Sequence, residues 1–431
     1  MKCAFIFRRD LRLYDNTALN HALNECEEVI PIFIADPRQL IASPYKSEFA
    51  VSFMINSLVE LDKELRERGS KLHVYFGEAE KVVSHFKGID AIYVNEDYTP
   101  FSISRDKKMK DYCERNGIEF KSYEDYLLTP KKLFHHKNFT SFYNEARKVK
   151  VREPETYEGK FGKQESLEVD FLLSFKKVES PLLKGGRREG LMLLDRKIDF
   201  SKRDYPSENG NSHLSPHLKF GTLSIREVYY KKIDNEEFIR QLYWRDFYTL
   251  LAYYNPYVFG NCYRREFDSI EWENNQEYFE AWKEGRTGYP IVDAGMRALN
   301  ATGYINGRLR MITAFFLVKV LFVDWRLGER YFATKLVDYD PAINNGNWQW
   351  VASTGVDYIF RIFNPWKQQE KFDPEAKFIK DWVEELRDYP PSVIHSLYKT
   401  KVPGYPKPIV DWKERVEMVR RKYMEVMNRL D

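Results

Sequence analysis

Apolar residues in the first third of the chain fall in short dense runs: Cys3–Phe7, Val29–Ala35, Leu72–Phe76 and Ala91–Val94. Each has the length of a strand, and none alternates with polar residues. Such runs read as strands buried on both faces. Between them the period changes. Over Phe49–Arg68, Met54, Leu58, Leu61 and Leu65 recur at three- and four-residue steps, the spacing of one helix face, and Gly69 follows as a C-cap residue. Buried strands joined by such helices predict an α/β N-terminal domain built on a doubly wound parallel sheet. Ligands of these sheets sit beyond the carboxyl ends of the strands. No GxGxxG follows the first strand, so the dinucleotide fingerprint is missing.

From Val151 to Ser180 the pattern dissolves into charged residues with Pro154, Gly159 and Gly162. From Pro181 onward strand-like runs nearly vanish. Long aromatic-rich stretches with helical spacing replace them, as in Glu236–Tyr254 and Arg308–Asp324. The expected organisation is a sheet domain over 1–130, a connection over 131–180 and an all-α C-terminal domain over 181–431. The longest apolar run, Met311–Val323, is interrupted by Lys319 and falls short of the roughly 18 residues of a membrane span. Arg8, Arg9 and Asp10 cut the first apolar run too early for a secretory signal.

Charge changes this picture little. Lys and Arg number 68 against 65 Asp and Glu, a net +3 over 431 residues. That balance excludes a polybasic tail and an acidic disordered chain, but not nucleic-acid binding, which depends on local patches. Aromatic residues make up 16% of the chain, enough for a large helical core, a flat ligand, or both. The four cysteines, Cys3, Cys26, Cys113 and Cys262, form no CxxC pair and no zinc spacing. No disulfide framework is expected, and a reducing, cytoplasmic location is.

The candidate chemistry concentrates late in the chain. Asp338 and Asp340 flank Tyr339, and Asn344 and Asn345 follow. Arg310 opens a strongly apolar helix, where a charge needs a partner. An Arg–Asp pair facing a heteroaromatic ligand is one solution, an interior salt bridge the other. Trp272, Trp282, Trp325, Trp348 and Trp350 crowd the same half, as packing residues or as redox groups. The segment 210–216, Gly-Asn-Ser-His-Leu-Ser-Pro, reads as a turn before a helix. Ser212 or Ser215 would cap it and Pro216 would suit its first turn, and helix starts of this kind also hold phosphates.

Taken together these blocks resemble the cryptochrome/photolyase family, most closely its class I cyclobutane pyrimidine dimer photolyases. FIFRRDLRLYDNTAL, GGRREGLMLL, NSHLSPHLKFGTLS, YWRDFY, GRTGYPIVDAGMRAL, NGRLRMITAFFLVKVLFVDWRLGERYF and NNGNWQWVASTG follow in the family's order over nearly the whole chain. The resemblance implies FAD bound in the helical domain. Asn211, Ser212, His213, Leu214 and Ser215 match its phosphate-gripping turn, and Arg245 belongs to the same site. His213 stands where many relatives carry Arg. Arg310 and Asp338 match an ion pair beside the flavin ring, with Tyr339 between Asp338 and Asp340, and Asp340 near the ring's polar edge. Asn344 matches the residue that faces flavin N5. Trp348, Trp325 and Trp272 fall on the family's electron-transfer chain, with Trp348 nearest the flavin and Trp272 nearest solvent.

The function so implied is light-driven repair of UV-induced cyclobutane pyrimidine dimers, by electron transfer from excited reduced FAD to a dimer flipped out of DNA. Trp244 and Trp350 match the indoles that pack on the lesion, and Met311 lies below it. Arg203, Arg308 and Arg361 match phosphate-contacting positions. Gln241 stands where bacterial dimer photolyases carry Glu, while Tyr304 and Gly307 replace a family Trp and Asn. Those departures leave a (6-4) photolyase as an alternative. Yet the two histidines that group places in the NGRLRM segment are absent, so acid–base transfer of a (6-4) hydroxyl lacks its imidazoles. A blue-light sensor is the alternative from another class. Sensors usually carry a C-terminal extension, and here little follows PGYPKPIVDWKERVEMV. The sheet domain is expected to hold an antenna chromophore, a folate, deazaflavin or flavin, near Asp36–Leu40 or Asn95–Tyr98. UV-damaged DNA is the expected partner, no metal is expected, and the chain is expected to act as a monomer.

Overall fold

The computed structural model describes residues 1–430. Five strands, β1 (Lys2–Phe7), β2 (Glu28–Ala35), β3 (His73–Phe76), β4 (Ala91–Asn95) and β5 (Glu119–Tyr123), form one sheet in the order β3-β2-β1-β4-β5. Every pairing is parallel. Phe5 lies opposite Pro31 on one side and Tyr93 on the other. Pro31 is tolerated because β2 pairs with β3 only from Ile32 onward, so its missing N–H removes no ladder bond there. The apolar runs are buried as their composition requires: Ala4, Ile6, Ile30, Ile32, Ile92 and Val94 share one core cluster. Strand order reverses between β1 and β4, the switch point of an open α/β sheet, where Arg8, Arg9 and Asp97 emerge.

The helix Glu48–Glu67 starts at Ser47, whose side chain accepts from the Ala50 N–H. Gly69 adopts φ 76° just past its end, as the spacing predicts. β5 escaped the hydrophobic pattern. Glu-Phe-Lys-Ser-Tyr is an edge strand, half exposed, and carries too few apolar residues to stand out.

One expectation is corrected outright. Cys3, in β1, and Cys26, just after the helix Thr17–Glu25, form a disulfide across 23 residues. The helix folds back along the strand it follows, which brings together two cysteines whose spacing signals nothing. Cys113 and Cys262 are unpaired and buried, and burial pushes their thiols up to about 11 and about 12.

The chain folds as two compact units. The first gathers Met1–Arg196, His213–Pro256 and Val337–Ile343, and the second Lys197–Ser212, Tyr257–Leu336 and the residues from Asn344 onward. Within the first, the opening signature meets the Thr222–Arg226 segment. Arg12 donates to both oxygens of Asp125 at 2.9 and 2.8 Å. Arg226 donates to Asp15 at 2.7 Å and to Asp125 at 2.5 Å. All four side chains are buried, so each charge is stable only because the others are present. Gly221, at φ 65°, lets the backbones touch: a Cβ there would lie 2.2 Å from the Arg9 carbonyl oxygen.

The second unit is helical. The apolar stretch read as one helix to Asp324 instead runs as the α-helix Gly307–Phe315 and then a π-turn, Phe316–Val320. The turn carries Lys319, which is 1% exposed. Its Nζ donates to Ser353 Oγ at 2.9 Å and to the Arg361 carbonyl at 2.7 Å. Burial drives its pKa far below the ordinary lysine value, which favours the neutral amine.

Candidate functional site

In the first unit the helix Ser215–Lys219 follows His213 and Leu214. His213 sits in the left-handed region at φ 57°, and burial, helped by Arg196, lowers its imidazole to about 4. Leu214 is buried at the helix N-cap and offers no side-chain cap. The capping expected of Ser215 does not form; its hydroxyl donates instead to Asp338 Oδ2 at 2.6 Å. Asp340 is the hub of this unit's share. Its Oδ2 accepts from Arg9 at 2.7 Å and from the Tyr126 hydroxyl at 2.9 Å. Its Oδ1 accepts from the Ala342 and Ile343 amides at 3.0 and 3.1 Å. Burial opposes its charge, but Arg9, Lys219, the Ile343 amide and Tyr126 prevail and hold it at about 2.

Arg245, on the helix Glu236–Tyr254, donates to the carbonyls of Tyr126 at 2.7 Å and Leu218 at 3.3 Å, and stacks 3.6 Å from the Tyr126 ring. On the same helix Gln241 is exposed. Trp244 stacks on Phe139 with centroids 3.7 Å apart and planes at 6°. Sequence reasoning overlooked three members of this cluster: Arg9, Tyr126 and Lys219. Arg9 was quoted inside the opening signature, but nothing in the pattern tied it to a residue 331 positions later. Lys219 is lowered to about 8, by burial first and then by Arg9.

The second unit carries the tryptophans proposed for electron transfer. Trp325 and Trp348 are buried, at 0% and 2% exposure, while Trp272 is half-buried against Phe322 and Tyr423. Trp348 stands edge-on to Phe332 at 4.9 Å and to Trp282 at 6.2 Å. Its closeness to the helix Trp325–Lys335 requires Gly328, where a Cβ would lie 2.3 Å from the indole. Asn344 gives its Nδ2 to the Glu329 carbonyl at 2.9 Å. Asn345 gives its own Nδ2 to Glu329 Oε2 at 2.7 Å. Glu329 was also missed. Burial raises its carboxyl to about 7, against the Asn345 hydrogen bond and Arg326, which act to lower it. Arg310 donates through Nε to the Ile305 carbonyl at 2.8 Å.

The same unit links several lesion and phosphate candidates through aromatic contacts. Arg308 lies 5.7 Å from the Phe363 ring. Phe363 stacks on Phe315 at 4.2 Å, and Phe315 meets Trp350 at 5.7 Å. Arg361 lies 5.0 Å over Trp350. Arg203 packs over Phe200, and its carbonyl accepts from Asn211 and Asn306, each at 3.2 Å. Met311 is half-buried on the helix Gly307–Phe315. Arg308 and Arg361 already hold carboxylates, Asp204 at 3.3 Å and Asp357 at 2.7 Å. One guanidinium nitrogen on each, Arg308 Nε and Arg361 Nη1, is buried without a partner among the described residues.

The antenna candidates are largely committed elsewhere. Asn95 donates to Asp10 and Asn16 and accepts from the Ala18 amide. Asp97 pairs with Arg9 at 3.3 Å, and Asp36 caps Arg38 and accepts from the Ala79 amide. Beside them, Arg38 lies 4.9 Å over the ring of Phe101, which is 36% exposed.

The chain thus combines a parallel sheet with a helical part that buries tryptophans and sets Asn345 beside a carboxyl raised to about 7. Sequence comparison supplies the class. Residues 3–158 match the DNA photolyase family and residues 238–425 the FAD binding domain of DNA photolyase. The chain belongs to the DNA photolyase family and is a flavoprotein lyase of DNA repair. The deoxyribodipyrimidine photo-lyase of Escherichia coli strain K12 is 36% identical, over 95% of each chain. A crystal structure of the archaeal photolyase from Sulfolobus tokodaii, with two FAD molecules, is 76% identical, covers 99% of this chain and 100% of its own, and superposes with a TM-score of 0.98. The Synechocystis sp. PCC6803 cryptochrome is 28% identical over 97% of this chain and 98% of its own, with a TM-score of 0.91. Among the described residues, no helix is long and apolar enough to cross a membrane.

Proposed function

We propose that this chain repairs cyclobutane pyrimidine dimers in UV-damaged DNA under blue light. The chain-long likeness to proteins named deoxyribodipyrimidine photo-lyase carries this reading. Bound FAD, once reduced and excited, supplies the electron that splits the dimer. Asn211, Ser212, His213, Leu214 and Ser215 would take its phosphates. Arg245, Arg310, Asp338, Tyr339, Asp340 and Asn344 would position the ring.

The donor set suits such a ligand. Asn344 spends its amide on Glu329, which leaves Oδ1 as an acceptor among the described residues. Trp348, Trp325 and Trp272 would carry electrons inward during activation. Trp244, Trp350, Met311 and Gln241 would receive the extruded lesion, and Arg203, Arg308 and Arg361 would hold phosphates. The partly exposed guanidinium groups of Arg308 and Arg361 are donors of the right kind. The preference for the cyclobutane lesion follows from the NGRLRM segment, which has no imidazole.

A second FAD is the proposed antenna, by analogy with the Sulfolobus tokodaii photolyase. Phe101 and Arg38 offer it a ring face and a cation. An intracellular monomer with access to DNA completes the reading. The Synechocystis neighbour favours one other reading, a light sensor. Paired oligonucleotides, one with a cyclobutane dimer and one with a (6-4) product, separate the possibilities. Blue light with the reduced protein restores only the first. Restoration of only the second reverses the lesion assignment, and restoration of neither favours the sensor.

A further inference from the structure

The loop that ends at Asn138 and the helix Phe139–Ala146, both in the first unit, assemble a cluster that no step of the proposed reaction uses. His135 and His136 are adjacent, and their ring centroids lie 4.2 Å apart with planes tilted by 30°. Both Nε2 atoms converge on one oxygen. His136 Nε2 is 3.0 Å and His135 Nε2 3.5 Å from Glu145 Oε2. The three ligand atoms lie within 4.8 Å of one another.

Each ring is oriented from its other side. His135 Nδ1 is 3.1 Å from the Leu133 carbonyl oxygen. A carbonyl only accepts, so Nδ1 carries the hydrogen, which makes Nε2 the nitrogen that can act as a ligand. His136 Nδ1 is 2.9 Å from Ser141 Oγ. Ser141 is itself fixed, because its amide donates to the Asn138 cap at 2.9 Å. Glu145 lies four residues beyond Ser141, one turn along the same helix face. His136 therefore spans that turn, buried between Phe134 and Phe142. Anchoring the distal nitrogen to an oxygen is how proteins prepare imidazole ligands for metals.

Either a proton on each ring or one metal ion satisfies this convergence, and a single ion satisfies both rings and the carboxylate at once. A tetrahedral zinc with bonds near 2.1 Å sets its ligand atoms about 3.4 Å apart, and the two Nε2–Oε2 separations, 3.0 and 3.5 Å, bracket that value. We propose that His135 Nε2, His136 Nε2 and the Glu145 carboxylate form a binding site for a divalent transition metal, with zinc the best match to an imidazole–carboxylate set. Glu145 and His135 face solvent, so water fills the remaining position. The ion acts as a structural clamp, tying the 131–138 loop to the helix that carries Phe139, the stacking partner of Trp244.

The test uses the flavin-loaded protein, stripped with a chelator and titrated with zinc against a chromophoric chelator. The site predicts one tight equivalent per chain. His135→Ala, at an exposed position, and Glu145→Gln each weaken it by at least about tenfold, since loss of even an outer partner of a ligand costs that much. His21→Ala, at a half-buried histidine beside Glu25, leaves it unchanged. Zinc also raises the Tm of the parent protein and not of the His135 and Glu145 variants. Equal zinc affinity in parent and variants overturns the site, and zinc bound without a rise in Tm overturns the clamp.

Discussion

Gly328 shows how little freedom single positions have here. Its missing side chain is what lets the Trp348 ring lie against the helix Trp325–Lys335. Gly328→Ala is expected to cost about 1–3 kcal/mol by overpacking. It should also displace Trp348 and slow photoreduction of oxidised flavin, read as the rate of bleaching under blue light. Unchanged bleaching with unchanged stability contradicts the packing. Glu329 makes a prediction in pH. Its carboxyl rises from an ordinary 4.5 to about 7 on burial. Between those values the folded chain holds a proton that the unfolded chain has released, so this group's contribution to stability is lost as pH rises through the window. Glu329→Gln keeps an acceptor for Asn345 and removes the titration. Denaturant unfolding at about pH 5 and about pH 8 should show the parent losing up to about 3 kcal/mol more than the variant. Parallel stability curves for the two proteins contradict the burial of that carboxyl. Neither residue stood out in the sequence: Gly328 matters only through a ring 20 positions away, and Glu329 sits in a helix where glutamates are ordinary.

Among the elements, the central ones were legible because burial on both faces leaves a plain mark. Four of five strands and the helix Glu236–Tyr254 appear where apolar spacing predicts them. β5 did not, because an edge strand needs only one packed face. The Phe316–Val320 π-turn did not either, because the backbone bends to place Lys319 against Ser353, a partner the local pattern does not contain. The Cys3–Cys26 bridge was invisible for the same reason: the fold makes the pair. It closes a loop of 23 residues between a core strand and the end of a helix. Loop closure of that size contributes about 3 kcal/mol. Cys26→Ala, or full reduction, should lower unfolding free energy by about that amount, measured in guanidinium with and without reductant. The same midpoint under both conditions contradicts a structural role. Of the candidate site, family motifs exposed the residue types, but the partners that set their charge, such as Arg9 and Tyr126 on Asp340, come from distant segments.

At the scale of the whole molecule, a net charge of +3 gives little general attraction to DNA, so affinity must come from local cations. With three phosphate contacts through Arg203, Arg308 and Arg361, binding to dimer-containing DNA should fall with salt at a log–log slope of about −2.7, and Arg308→Ala should reduce that slope by about 1. A flat salt response contradicts the assignment of those arginines. The central claim is that a reduced flavin held by this chain uses light to split a pyrimidine dimer. Its most direct measurement follows a dimer-containing oligonucleotide with purified protein under four conditions, flavin reduced or oxidised, in blue light or in darkness. The account predicts rapid repair only with reduced flavin in light and, with an external reductant present as electron donor, repair from oxidised flavin only after a photoreduction lag that Trp348→Phe lengthens. Intact dimers after illumination of the reduced, DNA-bound protein would contradict it.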